Sequence, residues 1–330
     1  MNFKRLFSYL PIVLISFLWF SCSNDEDPKI NSDISSEAQL QIDWLNNMLD
    51  IMEANSVNRK VIDWPTFRGN VLDAARGKER KDELDEVLRN AISLLGDNHS
   101  FIVKPSGQLL FGPSNLDCFS HSVSVVDIEN VGYIKVPGFS GNPQEARNFA
   151  KDLQVQIQEQ DNENLTGWVV DLRNNSGGDM WPMLAGIGPI LGEGIAGYFV
   201  DPDNSKSEWG YFDGNSRLSG QDITTVDNPY ELLNPNPKVA VLFNRACGSS
   251  GEAIIVAFKE RPNTRSFGEP SCGVSTANLS FDLGDGYTLF LTVSTFTDRS
   301  QNRYGDRIPP DETILDQEAL WVRVEEWMTN

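Results

Sequence analysis

Apolar residues recur three and four positions apart through the first third of the chain, which is the spacing of amphipathic helices. This pattern predicts helices over residues 36–54, 63–77 and 82–95. Ser36 and Asp63 are suitable N-caps, and Gly96 is a suitable C-terminal stop. We therefore predict a small N-terminal helical domain over residues 35–96.

Beyond Gly96 the pattern changes to short β-type runs that alternate with helical stretches, which predicts an α/β core over residues 97–330. Gly284-Asp285-Gly286 predicts a hairpin turn inside the last β-type run. Residues 192–237 show no clear period, and we interpret them as an insertion that caps the site. The predicted strands are 122–126, 131–136, 167–172, 239–243 and 279–293, and the predicted helices are 143–160, 182–191 and 251–259.

The N-terminus has the features of a secretory signal. Lys4 and Arg5 precede an apolar run over residues 10–20, well short of the ~20 residues needed to span a bilayer. The end of the run resembles a bacterial lipobox, which implies cleavage after residue 21 and lipidation of Cys22. An ordinary signal peptide with an incidental cysteine is the alternative.

An acidic tether over residues 22–34 follows and has no means of packing. It is similar to the export tag of some bacterial lipoproteins, which implies display at the outer membrane or cell surface, with the periplasmic side possible. A formal net charge of -20 argues against a nucleic-acid partner. We interpret this charge as the solvated surface of an exported protein, and its oligomeric state stays open.

Residues 239–258 predict a strand, a tight turn and a buried helix, with Ser249 in the turn. Such a turn presents a serine hydroxyl at the sheet edge and leaves free N–H groups at the start of the helix. An acyl-transfer nucleophile needs this arrangement, although the local pattern fits a helix-capping serine equally well.

Three ordered motifs resemble those of the tail-specific (C-terminal processing) serine peptidases, which include the tricorn core peptidase. The resemblance covers roughly residues 95–315 and implies an α/β, ClpP/crotonase-like core, a twisted sheet flanked by helices. The motifs are Leu95-Gly96-Asp97-Asn98-His99-Ser100, Asp171-Leu172-Arg173-Asn174-Asn175-Ser176-Gly177-Gly178, and Ser249-Ser250-Gly251-Glu252 followed by Gly268-Glu269-Pro270.

The family register decides the nucleophile and its base. The nucleophile lies three residues before the motif glutamate, which selects Ser249 over Ser250. Val274 occupies the position of the lysine in the Ser–Lys branch, so that mechanism is excluded. The resemblance to the tricorn branch assigns the base to His99. The chain's second histidine, His121, lies outside every motif and is interpreted as structural or surface-exposed.

The third catalytic group is less defined, because the glutamate of the tricorn branch has no counterpart. Asp298, at a predicted strand end, is the best candidate, and a Ser–His dyad is the alternative. For the oxyanion hole, the resemblance implies an N–H of Gly177 or Gly178 together with that of Ser250.

Three cysteines remain once Cys22 is set aside, so at most one bridge can form. We favour Cys247 with Cys272, because both fall in the presumed active-site region. Three buried free thiols are the alternative to any bridge, and Cys118 would stay unpaired in both cases.

A closer likeness within the family rests on Trp181-Pro182-Met183, the stretch 258–263 and Thr297-Asp298-Arg299. These residues resemble the nisin resistance protein group, which has no PDZ domain and clips peptide tails with a Ser–His pair. The predicted function is a lipid-anchored serine endopeptidase without metal or cofactor, acting on an extended C-terminal segment of a peptide or protein. One alternative is an inactive peptide-binding lipoprotein on a peptidase scaffold. The other is a cysteine-dependent enzyme that uses Cys247 or Cys118.

Overall fold

The computed structural model describes residues 35–330, so the predicted signal peptide, Cys22 and the acidic tether lie outside the described residues. None of the helices in this described range is long and apolar enough to cross a membrane. The helices are α1 (Ser36–Asn55), α2 (Trp64–Ala74), α3 (Asp85–Leu95), α4 (Pro143–Gln160), α5 (Met180–Gly186), α6 (Gly188–Leu191), α7 (Ser250–Phe258) and α8 (Gln317–Thr329).

The strands form two sheets, one parallel and one antiparallel. The parallel sheet contains β3 (Val131–Lys135), β4 (Gly167–Asp171), β9 (Lys238–Phe243), β10 (Thr264–Gly268) and β13 (Glu312–Thr313). The antiparallel sheet contains β1 (Phe101–Val103), β2 (Leu109–Phe111), β5 (Gly194–Val200), β6 (Lys206–Phe212), β7 (Asn215–Leu218), β8 (Gln221–Thr225), β11 (Thr276–Gly284) and β12 (Tyr287–Asp298).

The parallel sheet, in the order β13-β10-β9-β4-β3, is covered on both faces. Helices α4, α5 and α7 pack on one face and α8 on the other. Burial on both faces explains why β4 and β9 are almost continuously apolar. Because the strands are parallel, the turns that follow β4 and β9 meet at one edge, and these turns carry two of the sequence motifs.

The antiparallel sheet is organised around its longest strand, β12. One edge of β12 pairs with β11. The other edge pairs with β1 near its start, where Phe101 lies opposite Phe290, and with β5 near its end, where Asp298 lies opposite Gly197. This pairing brings the segment after α3 beside strands that lie far away in the sequence.

The three predicted N-terminal helices are present and pack on the antiparallel sheet. Leu45 and Met48 of α1 and Leu88 of α3 share a buried core with Leu289 and Leu291 of β12. Asp63 caps α2 as expected, whereas the cap of α1 is Ser35 instead of the predicted Ser36. The helices thus bury their apolar faces against strands of the following core.

Most of the predicted elements of the core are confirmed, and two predictions about segments are corrected. Residues 122–126, predicted as a strand, form no regular structure; the Ser124 N–H donates to the Gln317 side chain and its carbonyl accepts from Arg173. Residues 192–237 contain β5 to β8, which extend the antiparallel sheet. The alternation of apolar and polar residues in these strands is obscured, because Trp209 and Tyr211 are buried in the main core and residues at other positions are partly buried.

Candidate active site

Ser249 lies at the N-terminal end of α7, in the tight turn that follows β9. Its backbone has φ +55° and ψ -121°. Such strained geometry is uncommon for a residue with a side chain and is found at exposed nucleophiles on strand-to-helix turns. Gly248 N–H donates to the Asn175 carbonyl at 3.0 Å, and Cys272 N–H donates to the Cys247 carbonyl at 2.8 Å. The predicted strand, turn and helix are confirmed.

The buried carboxylate of Glu252 joins this turn to the loop that precedes β11. Its Oε2 accepts hydrogen bonds from the backbone N–H groups of Ser249 (2.8 Å) and Val274 (3.0 Å). Its Oε1 accepts from Gly273 N–H (2.9 Å) and from the Ser271 hydroxyl (2.5 Å). Burial raises the pKa of Glu252 to about 7, although these hydrogen bonds oppose the shift.

His99 lies in the loop between α3 and β1, and this loop is held from two sides. The Asp97 carboxylate accepts from the backbone N–H groups of His99 (2.9 Å) and Ser100 (2.8 Å) and from the Ser100 hydroxyl (2.7 Å). From β11, the Asn278 side-chain amide donates to the His99 carbonyl at 3.0 Å. The backbone of His99 is therefore fixed by its own motif and by a distant strand.

The His99 ring reaches the serine of the third motif, with Nε2 3.0 Å from Ser249 Oγ. Burial lowers the pKa of His99 to about 4, although the charge of Asp97 opposes the shift. The ring is therefore neutral at pH 7 and can accept a proton. A nucleophile and a base within hydrogen-bond reach form the minimal constellation for acyl transfer.

The other ring nitrogen of His99, Nδ1, is 2.7 Å from Oγ1 of Thr276, the first residue of β11. Asp298, predicted to orient His99, makes its hydrogen bonds elsewhere. Its fully buried carboxylate accepts from Asn302 N–H (3.0 Å), the Asn302 amide (2.9 Å) and the Tyr304 hydroxyl (2.8 Å). The expectation for Asp298 is corrected: its carboxylate closes the turn after β12.

Two backbone N–H groups beside Ser249 have no acceptor within residues 35–330, those of Gly178 and Ser250. The Ser250 hydroxyl donates to the Gly178 carbonyl at 2.6 Å and ties the two segments together. Gly177 N–H instead donates to Asn175 Oδ1 at 2.9 Å, so Gly178 is the glycine that offers a free donor. At Gly177, φ is +102° and a Cβ would lie 2.8 Å from that of Ser249, so a side chain is not tolerated there.

A disulfide joins Cys118 to Cys272, with a Cα–Cα distance of 5.0 Å. The favoured pairing of Cys247 with Cys272 is therefore wrong, and Cys247 is a buried free thiol. The backbones of Cys247 and Cys272 are neighbours. The Cys247 side chain, however, lies under α7, where its Sγ is 3.0 Å from the position that a Cβ at Gly251 would take. Cys272 faces the irregular segment 112–128, which we name the strap.

His121 lies on the strap and contacts groups other than the pair of Ser249 and His99. Its Nε2 is 3.6 Å from a carboxylate oxygen of Glu269 and 3.5 Å from the side-chain amide of Asn244. The ring is on the surface, as the sequence indicated, and plays no part in the geometry around Ser249.

Ser249, His99 and Thr276 open into a cleft of about 1310 Å³. Strap residues and residues from the antiparallel sheet and the turn after β4 form its walls, so both sheets contribute. Much of this lining is apolar, including Phe101, Phe111, Leu116, Met180, Trp181, Phe199, Leu218, Leu279, Phe290, Val293 and Phe296.

Sequence reasoning missed the Thr276 contact and the Cys118–Cys272 bridge. A threonine at the start of a β-type run carries no local signal for a histidine partner. The only available signal for the bridge was the odd number of cysteines, which could not choose among pairs. Asp97 lies within the His99 motif, but its role depends on hydrogen bonds that residue types alone do not specify.

Comparisons with known proteins identify the family to which the chain belongs. The sequence profile described as Peptidase family S41 matches residues 130–314. The Nisin-resistance protein of Lactococcus lactis subsp. lactis is 29% identical over 251 residues, which cover 76% of this chain and 76% of that protein. The carboxy-terminal processing protease CtpA of Bacillus subtilis (strain 168) is 24% identical over 165 residues, 50% of this chain and 30% of that protein.

Among solved structures, a lipoprotein from Streptococcus agalactiae matches with a TM-score of 0.69 at 23% identity. The match covers 89% of this chain and 96% of that chain. At this level of identity the likeness establishes a shared fold.

Proposed function

The chain belongs to peptidase family S41 and is a serine-type peptidase, and we propose that Ser249 is its nucleophile and His99 its general base. The contact of 3.0 Å between Ser249 Oγ and His99 Nε2 is the observation that carries this assignment. The strained turn at Ser249 supports it, because the hydroxyl is presented at the end of a rigid strand instead of on a mobile loop.

In the proposed reaction, Ser249 Oγ attacks the scissile carbonyl carbon while its proton passes to His99 Nε2. The imidazolium then gives that proton to the leaving amine, and the amide C–N bond breaks to leave an acyl-enzyme. Water repeats the sequence in deacylation, with His99 again taking the proton. The pKa of His99, which burial lowers to about 4, keeps the ring in its proton-accepting form at neutral pH.

The proposed oxyanion hole consists of the N–H groups of Gly178 and Ser250. Both lack an acceptor within residues 35–330, and the bond from the Ser250 hydroxyl to the Gly178 carbonyl (2.6 Å) fixes their spacing before substrate arrives. Donors that are oriented in advance stabilise a developing oxyanion without reorganising during the reaction.

We further propose that the substrate is an extended peptide or protein segment cut within its C-terminal tail. The apolar cleft of about 1310 Å³ supports this, as do the C-terminal processing proteases among the relatives. The one cationic side chain that lines the cleft within the described residues, Arg59, is paired with Asp201 at 3.2 Å. The cleft therefore lacks a free counter-ion for a terminal carboxylate, which favours endopeptidase cleavage upstream of the terminus.

Export and lipid attachment through Cys22 complete the proposal, and they rest on the sequence at residues 1–34. Expression in a bacterial host should give a membrane-associated product that carries a lipid mass at its N-terminus. In Cys22→Ser that mass should be absent and the protein should appear in the soluble fraction. A wild-type product without lipid would contradict the anchor and leave the peptidase assignment intact.

The test of the peptidase assignment compares Ser249→Ala with the adjacent Ser250→Ala. We expect a fluorophosphonate probe to label wild type but not Ser249→Ala. Ser250→Ala keeps its donor N–H and loses only the hydroxyl bond to Gly178, so it should still be labelled, at a lower rate. Mass spectrometry of a peptide library should show cleavages near C-termini that disappear only in Ser249→Ala. Binding of peptides without any cleavage by wild type would instead support an inactive peptide-binding protein.

A further inference from the structure

A general base in a serine peptidase needs a partner that holds its ring, and none of the carboxylates in residues 35–330 fills this role for His99. Both oxygens of Asp97 accept bonds from the backbone and side chain of its own loop. Asp298 is bound within the turn after β12. Within the described residues, the hydrogen-bond partner of His99 Nδ1 is Oγ1 of Thr276, at 2.7 Å.

The Thr276 backbone is itself held in place. The residue is 5% exposed, and its backbone N–H donates to the Val274 carbonyl at 2.8 Å. It lies opposite Thr295 in the register of β11 with β12. Two residues further on, Asn278 holds the His99 carbonyl, so the start of β11 fixes both the ring and the backbone of His99.

We propose that Thr276 is the positioning residue of this site, completing a Ser249–His99–Thr276 arrangement; this rests on the function proposed above. When the Ser249 proton reaches His99 Nε2, both ring nitrogens carry hydrogen, and Thr276 Oγ1 accepts the bond from Nδ1–H. No proton moves to Thr276. A hydroxyl orients the ring as a carboxylate would, but it adds no charge that would stabilise the imidazolium.

The loop before Thr276 provides an independent argument. It includes Val274, the position of the base lysine in the Ser–Lys branch, and the Glu252 carboxylate binds its N–H groups at Gly273 and Val274. The same loop is therefore hydrogen-bonded to α7, which follows Ser249, and leads into Thr276, which positions His99.

The kinetic test uses Thr276→Val, which keeps the branched shape and removes the hydroxyl, and Thr276→Ser, which keeps the hydroxyl. We expect Thr276→Val to lower kcat by about 10- to 100-fold with KM within about twofold, since ring orientation is lost and substrate contacts remain. Thr276→Ser should restore kcat to within about threefold of wild type. Thr295→Val is the matched control on the facing strand and should retain kcat.

A spectroscopic test needs no substrate. The chain contains only two histidines, so nitrogen-15 imidazole spectra hold two ring systems, and His121→Asn assigns them. In wild type we expect His99 to carry its proton on Nδ1, hydrogen-bonded to Thr276 and slow to exchange. In Thr276→Val this proton should exchange rapidly, and the ring should shift toward the tautomer protonated on Nε2.

The outcomes separate this proposal from the proposed function. If Ser249→Ala and His99→Ala abolish cleavage but Thr276→Val keeps both kcat and the wild-type ring spectrum, the role of Thr276 is overturned alone. If wild type cleaves no peptide, the proposed function fails, and the ring spectra of wild type and Thr276→Val still decide whether Thr276 holds His99. Loss of kcat in Thr276→Ser equal to that in Thr276→Val would also overturn the proposal.

Discussion

The two sheets contribute opposite halves of the active site, and they do so by different means. The parallel sheet supplies Ser249 and the N–H of Gly178 from turns at one edge, each within a few residues of a buried strand. The antiparallel sheet supplies Thr276 and, through its strand β1 and its packing on α3, the position of His99. The nucleophile half is thus built from local geometry, whereas the base half is assembled from segments distant in sequence.

This difference has a physical basis. The strand, tight turn and helix that carry Ser249 follow one another within residues 238–258, so the residue pattern predicts their geometry, although bonds to Asn175 and Cys272 also hold the turn. The His99 ring is held by Thr276 and the His99 backbone carbonyl by Asn278, and the places of both residues depend on the register of β11 with β12. A change in register would leave the His99 motif intact and remove its partner.

The largest effect that tests this comparison is expected at the base. His99→Ala should lower kcat/KM by about 10⁴- to 10⁶-fold, comparable to loss of the nucleophile, because the two groups act as one unit. The measurement is cleavage of the best peptide from the library. His121→Ala is the matched control, since this histidine contacts Asn244 and Glu269, and it should stay within about twofold of wild type.

A double variant, Ser249→Ala with His99→Ala, tests whether the halves act together. Its residual activity should equal that of either single variant. Additive losses would mean that His99 acts without Ser249 and would contradict the proposed pair.

The second prediction concerns the covalent link between the strap and the loop that precedes β11. Replacing both Cys118 and Cys272 by Ser should lower the free energy of unfolding by about 2–5 kcal/mol, because the bridge closes a loop with a sequence separation of 154. Urea unfolding, with and without reductant, measures this loss. Since both cysteines line the cleft, KM should rise more than kcat falls.

Cys247→Ala is the matched control for the bridge. Cys247 is buried and unpaired, so this variant should keep the wild-type sensitivity to reductant. If reductant leaves the unfolding of wild type unchanged, the bridge does not stabilise the fold. If Cys247→Ala abolishes the sensitivity, the pairing is different.

The sequence predicts the nucleophile half of the molecule better than the base half. Strands β3, β4 and β9, the helices that follow them, the turn at Ser249 and the family could be predicted, because apolar periodicity and ordered motifs are local signals. Strands β10 and β13 and helix α8 were not predicted. The four strands within 192–237 could not, since partial burial against the main core obscures their alternation. Thr276, Asp298 and the Cys118–Cys272 bridge could not be assigned either, because each depends on which side chains the long-range pairing brings together.

The third prediction separates a structural carboxylate from a catalytic one. Asp298→Asn should lower the free energy of unfolding by about 1–3 kcal/mol, since its buried side chain accepts bonds from Asn302 and Tyr304 that an amide satisfies only in part. Its kcat should stay within about twofold of wild type. A loss of kcat near the ~10⁴-fold seen when the aspartate of a catalytic triad is replaced would restore Asp298 as the group behind His99.

The smallest predicted effect lies in the pH dependence, which is compared for His99 in the base half and Glu252 in the nucleophile half. His99 must be neutral to accept a proton, and burial lowers its pKa to about 4, so kcat/KM should fall tenfold per pH unit only below about 4. Glu252, on the nucleophile half, has a pKa that burial raises to about 7. Protonation there removes an acceptor for the N–H groups of Ser249 and Val274, so a shallow decrease of about two- to fivefold is expected as pH falls through 7.

Glu252→Gln distinguishes the two groups, because the amide resembles the protonated acid at every pH. At pH 8 the kcat/KM of this variant should already equal the lower value that wild type reaches below pH 7. It should not change as pH falls through 7, and it should still decrease steeply below about 4. Circular dichroism at each pH verifies that the fold persists. A single decrease of kcat/KM near pH 6.5 in both wild type and Glu252→Gln would mean that the His99 ring is exposed to water. The buried environment described above for His99 would then be incorrect.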